Sequence, residues 1–183
     1  MRGAALSLAC YVLASSPASG KVVESSAAGF TTNSTVTVAA TPAQTWDALV
    51  HPARYWSSQH SWSGNAANLT LDPVAGGCFC ERWQGRNGGQ PGSAEHMRVI
   101  NSEPFELLRM RGALGPLQSE ALTGVLTVTL KPVEGGTAIT WEYVVGGHAR
   151  FDLSGLAPAV DGVLDEQLGR LADVLGRLET PRN

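Results

Sequence analysis

Positive charge is scarce in this chain: 13 Lys and Arg stand against 16 Asp and Glu, for a formal net charge of −3 and a pI near 5.8. That balance argues against a nucleic-acid surface, which usually needs a basic stripe. Like charges nowhere run together, and no apolar stretch reaches the roughly 20 residues that a helix needs to span a bilayer. There is no glycine-rich phosphate loop, no paired-carboxylate signature and no internal repeat. Cysteine is sparse too, with three in the chain, and the Cys78-x-Cys80 pair lacks both the usual C-x₂₋₄-C spacing of a zinc site and a second pair to complete one. What remains is 183 residues with 43% hydrophobic content, enough for one domain with a true core.

The chain is organised around its last long segment. From Leu156 to Leu178, apolar residues recur at steps of three and four (Leu156, Val160, Val163, Leu164, Leu168, Leu171, Val174, Leu175, Leu178), and Asp161, Asp165, Glu166, Arg170, Asp173 and Arg177 fill the other side. This pattern predicts an amphipathic helix of about 30 Å with one buried stripe, and Pro158 is expected in its first turn.

Almost everything before it reads as strand. Residues 1–20, with Arg2, an apolar run to Ala14 and the small residues Ser15 to Gly20, read as an export signal, which predicts a periplasmic or extracellular protein. Residues 21–32 read as a flexible linker, and 33–180 as the folded domain. Thr35–Val38 alternates as a first strand. Thr41-Pro42 starts a short helix with Trp46, Leu49 and Val50 inward, His51-Pro52 breaks it, and Ala53–Trp56 suggests another helical turn. Strands follow over Leu69–Leu71, Gly77–Trp83, Ala94–Ile100, Leu107–Arg111, Leu122–Leu130 and Ala138–Val145, divided by Gly and Pro turn signals. Alternation puts Ile139, Trp141, Tyr143 and Val145 on one face of the last strand, predicting an antiparallel sheet buried on one side.

The segments 38–49 (VAATPAQTWDAL), 52–56 (PARYW), 76–79 (GGCF) and 135–137 (GGT), in this order and spacing, resemble the START/Bet v1-like (SRPBCC) superfamily, near its activator-of-heat-shock-ATPase and polyketide-cyclase-like branches. The resemblance implies an α+β helix-grip fold: a curved seven-stranded antiparallel sheet around a long C-terminal helix, with two short helices after the first strand and an apolar cavity between sheet and helix. Fold alone does not give function.

Candidate site residues follow from the faces of the strands. Phe79, Glu81 and Trp83 should point inward, which places a carboxylate on the cavity side, where it needs a partner. His96 on the next strand is that partner if register turns it inward; a slip of one residue would send it out. The two could then form an acid/base pair, or simply a structural ion pair. Trp56, His60 and Trp62 are expected at the cavity mouth, or as plugs of its open end, with Phe79, Trp83, Trp141 and Tyr143 lining the interior. Cys78 and Cys80 read as two partly buried thiols on the outer face, with zinc as the weaker alternative. The expected function is binding of a small hydrophobic or amphipathic ligand. The alternatives are a cyclase- or hydrolase-type enzyme using Glu81 and His96, and a regulator of a chaperone ATPase. No cofactor is expected, and nothing in the sequence sets an oligomeric state.

Overall fold

A computed structural model describes residues 21–85 and 89–178; the expected export signal at 1–20 lies outside them. Among these residues eight strands, two α-helices and several 3-10 turns follow in sequence: β1 (Lys21–Ser26), β2 (Gly29–Val38), α1 (Pro42–Leu49), β3 (Leu69–Leu71), β4 (Cys78–Trp83), β5 (Gly92–Glu103), β6 (Leu107–Gly112), β7 (Ala121–Val133), β8 (Gly136–His148) and α2 (Leu153–Leu175). All pairings are antiparallel, in the spatial order β1-β2-β8-β7-β6-β5-β4-β3.

The sheet therefore has eight strands rather than seven, and the extra one comes from the expected linker. Residues 21–26 pair with the start of β2, and β2 begins at Gly29 rather than Thr35. Its inner face explains why alternation did not reveal it. Phe30, Val36 and Val38 share that face with Thr32 and Ser34, which are 2% and 3% exposed, so polar residues interrupt the apolar rhythm. β1 is an edge strand with little to bury beyond Val22.

Helix α1 begins as expected. Thr41 caps it by accepting from the Gln44 N–H, and the Gln44 side chain returns a bond from the Thr41 N–H, a reciprocal pair that satisfies two orphan donors. Instead of a second α-helix, Pro52–Arg54 makes a single 3-10 turn. Helix α2 starts three residues earlier than expected, capped by Asp152 through the Ser154 N–H at 2.8 Å. Pro158 consequently lies inside the helix rather than in its first turn. The helix stops at Gly176, whose φ of 79° suits glycine, and Arg177 and Leu178 turn back to pair with β2 instead of continuing the stripe.

The core lies between α2 and the concave face of the sheet. Leu164, Leu168, Leu171 and Ala172 of α2 share one buried cluster with Leu126, Val128, Leu130, Ile139, Trp141 and Tyr143 of β7 and β8, all 3% exposed or less. The first half of the helix stripe behaves differently: Leu156, Val160 and Val163 stay only half-buried. These three positions mark the site.

Candidate ligand cavity

A cavity of about 280 Å³ opens beside the first half of α2. One wall is Leu156, Ala159, Val160 and Val163 of the helix; a second is Leu114, Gly115 and Pro116; the third is the loop carrying Trp56, His60 and Trp62; and His96 of β5 also lines it. Except at the rim, these walls are apolar, as a small-molecule pocket requires.

The loop is fastened on both sides. Towards the helix, Ser57 donates its N–H to the Gln167 side chain at 2.7 Å, Arg170 donates to the Tyr55 carbonyl at 2.6 Å, and His60 meets Glu166 at 3.0 Å. Towards the sheet, the N–H groups of Trp62 and Ser63 donate to the two oxygens of Glu81, at 2.9 and 2.6 Å. The Trp62 indole donates to Gln118 at 3.2 Å. Gln167 is fully buried and was not a sequence candidate, yet its position between Leu164 and Leu171 put a polar side chain on the buried stripe, a legible sign of a specific partner.

A β-bulge brings His96 to the cavity. Phe79 pairs with Met97 but Cys80 pairs with Glu95, so one step on β4 spans two on β5 and His96 is the extra residue. Strict alternation would turn either His96 or Met97 outward. The bulge buries both, at 6% and 0% exposure. The His96 Nε2 then lies 3.1 Å from the Glu81 carboxylate, which is itself fully buried.

Burial alone would raise the Glu81 carboxyl, but hydrogen bonds from Ser63, Trp62 and His96 outweigh it and hold it below the usual carboxylate range. Burial also lowers the His96 imidazole, with the Glu81 hydrogen bond and charge opposing, and the net direction is down. Near neutral pH the pair is therefore a carboxylate beside a neutral imidazole. A carboxylate only accepts, so Nε2 carries the proton and donates to Glu81. Glu81 accepts from three donors, with both oxygens engaged, and works as an anchor for the loop and for the imidazole.

The other candidates divide into two groups. Trp56 is both plug and wall: it borders the open cavity and packs on Phe79, centroids 5.2 Å apart, and on Trp141 at 6.5 Å. Behind it Phe79 and Trp141 border a residual void of only about 10 Å³, so they are core rather than lining of the open cavity. Tyr143 is also core, its hydroxyl donating to the Gly112 carbonyl at 3.2 Å and accepting from the Leu114 N–H at 3.3 Å, which fixes the wall at Leu114–Pro116. Trp83 lies over Gly92 at the end of the β4–β5 hairpin, apart from the cavity. Cys78 and Cys80 are not free thiols but a disulfide, their Cα atoms 5.4 Å apart, within the usual range for such a bond. Neither is thereby left as a metal ligand, and no group of metal-binding side chains occurs among the described residues.

A family profile described as polyketide cyclase/dehydrase and lipid transport matches residues 30–176, from β2 to the cap of α2. No curated protein matches the chain. Solved structures do. A Rhizobium leguminosarum protein is 17% identical with a TM-score of 0.58, over 87% of this chain and 98% of its own. A Rhodobacter sphaeroides protein is 24% identical with a TM-score of 0.53, over 86% and 97%. A Mesorhizobium loti protein is 21% identical with a TM-score of 0.54, over 79% and 96%. Identities this low speak to the fold alone, and that fold is the α+β helix grip. With the profile covering most of the chain, the protein belongs to the polyketide cyclase/dehydrase and lipid transport family of the SRPBCC superfamily.

Proposed function

We propose that this protein binds a small hydrophobic or amphipathic molecule in the cavity between the Trp56–Trp62 loop, Leu114–Pro116 and the first half of α2. The observation that carries this reading is the apolar wall of Leu156, Val160 and Val163, left half-exposed beside a buried histidine while Leu164, Leu168 and Leu171, the next positions of the same stripe, are sealed. Apolar surface left wet in this way is stabilised by a guest at about 25 cal/mol per Å² covered. Covering some 200–300 Å² would give roughly 5–7 kcal/mol before ordering costs, hence micromolar or weaker affinity for a simple apolar probe. The test is fluorescence titration with a neutral, environment-sensitive naphthalene probe. Wild type should give a saturable, blue-shifted signal, and Val160→Asp should weaken it at least tenfold. Val174→Asp, at an exposed position near the far end of α2, should not. No saturable signal in wild type, or equal losses in both variants, would sink the reading.

The hydrogen bond between Glu81 and His96 favours a second reading, acid–base catalysis of a cyclase or hydrolase type on a bound carbonyl compound. In that case His96 would exchange the proton and Glu81 would orient it, because both Glu81 oxygens already hold donors of the protein and Glu81 does not line the cavity.

A further inference from the structure

We propose that this cavity selects neutral, hydroxyl-bearing guests over carboxylates, with His96 Nδ1 accepting the guest's hydroxyl proton. The inference rests on the ligand-binding reading and adds the chemical class of the ligand.

It follows from a census of polar groups on the walls. The Trp56 indole N–H donates to the His60 carbonyl at 2.9 Å, and the Trp62 indole N–H to Gln118. The Ser61 hydroxyl donates to the Ser58 carbonyl at 3.0 Å, and His60 Nε2 is held by Glu166. Gln59 sits at the exposed rim. The side-chain donors of the deeper wall are therefore committed within the protein. His96 differs. Glu81 fixes its Nε2 as the N–H, so Nδ1 carries a bare lone pair, and no residue among those described donates to it. The deep polar group open to a guest is thus an acceptor, and it is matched by a guest that donates.

Charge points the same way. No Lys or Arg occurs among the described residues lining the cavity. The ionisable partners of the two lining histidines are both acidic: Glu81 behind His96, and Glu166 at the rim beside His60. A guest carboxylate would lose its water to face a lone pair backed by another carboxylate, with no uncommitted side-chain donor on the deeper wall to receive it. A hydroxyl meets none of these penalties and gains one hydrogen bond, while its ring lies against Trp56 and Val160.

The test is displacement of the neutral naphthalene probe near neutral pH by three compounds sharing one ring system: 2-naphthol, 2-methoxynaphthalene and 2-naphthoate. The expected order in wild type is 2-naphthol tightest, about fivefold or more ahead of 2-methoxynaphthalene, as one net hydrogen bond allows, with 2-naphthoate weakest. In His96→Phe, checked for folding by circular dichroism, the advantage of 2-naphthol over 2-methoxynaphthalene should vanish while both still displace the probe. The wild-type comparison needs no variant and decides alone if His96→Phe fails to fold. Equal binding of 2-naphthol and 2-methoxynaphthalene, or tightest binding of 2-naphthoate, overturns the proposal and leaves the ligand-binding reading standing. A wild-type protein that takes up neither the probe nor any of the three overturns both.

Discussion

Replacing Glu81 by leucine tests the anchor on which the site depends. The substitution puts an apolar side chain of similar reach in its place and removes both acceptor oxygens. It leaves the N–H groups of Trp62 and Ser63 and the Nε2–H of His96 without a partner in a fully buried position. A buried donor stripped of its acceptor costs about 1–3 kcal/mol, so the three together set an upper range of about 3–9 kcal/mol. The loop can lift and let water in, since its bonds to Gln167 and Glu166 sit on the other side, and this relief brings the expectation to about 3–5 kcal/mol. That is a large share of the roughly 5–15 kcal/mol of a typical domain. Urea unfolding followed by tryptophan emission measures it, with Glu81→Gln falling between wild type and Glu81→Leu because its amide oxygen still accepts. A loss below about 1 kcal/mol in Glu81→Leu would mean that the loop is not held there, and the account of the site would fall. The pH dependence has a definite sign. With the Glu81 carboxyl held low, its contribution is complete above the ordinary carboxyl value near 4.3 and is lost as pH falls through the lower folded value. His96 acts earlier. Its folded form resists protonation, so stability begins to fall below about pH 6.5, where the unfolded chain takes up the proton, by at most about 1.4 kcal/mol per pH unit. This earlier step should be missing in His96→Phe.

Leu171→Ala should cost about 2–5 kcal/mol in the same assay, since Leu171 is fully buried; a loss under about 0.5 kcal/mol would contradict its place in the core. Gly124→Ala should destabilise by about 1–3 kcal/mol and weaken probe binding, because a Cβ there would come 2.3 Å from the Tyr143 hydroxyl that secures Gly112 and Leu114. Wild-type stability or unchanged binding would show that the wall does not depend on Tyr143. Export is proposed from the sequence of residues 1–20: exported material should begin near residues 17–21 on N-terminal sequencing, and intact Met1 on cytosolic protein would refute it.

The sequence exposed the fold wherever burial has a simple period. Ile139, Trp141, Tyr143 and Val145 could be placed on one face because nothing polar breaks their rhythm, and all four are buried. Thr41, Pro42 and Gln44 announced α1 through local capping chemistry. The failures arose where tertiary contacts outweigh local pattern. Thr32 and Ser34 occupy an inner strand face and hid half of β2, and Pro158 was assigned to a helix start that Asp152 makes earlier. The pairing of Glu81 with His96 was readable as a possibility, but the bulge that permits it leaves no mark in a strand pattern of period two. Cavity and core could not be separated by alternation, since Phe79 and Trp56 both face inward and only the packing of Trp56 over Phe79 divides one region from the other.

The bond between Cys78 and Cys80 encloses a single intervening residue. Closing so short a loop removes little freedom from the unfolded chain, and the bond is no major staple of stability. Its larger effect is on reactivity. The remaining cysteine of the three, Cys10, falls within the proposed export signal. A chain trimmed at that signal would leave the cell with no free thiol at all. It would be blind to alkylating reagents until reduced, unable to cross-link to a neighbour through sulfur, and suited to an oxidising compartment where an unpaired cysteine is a liability.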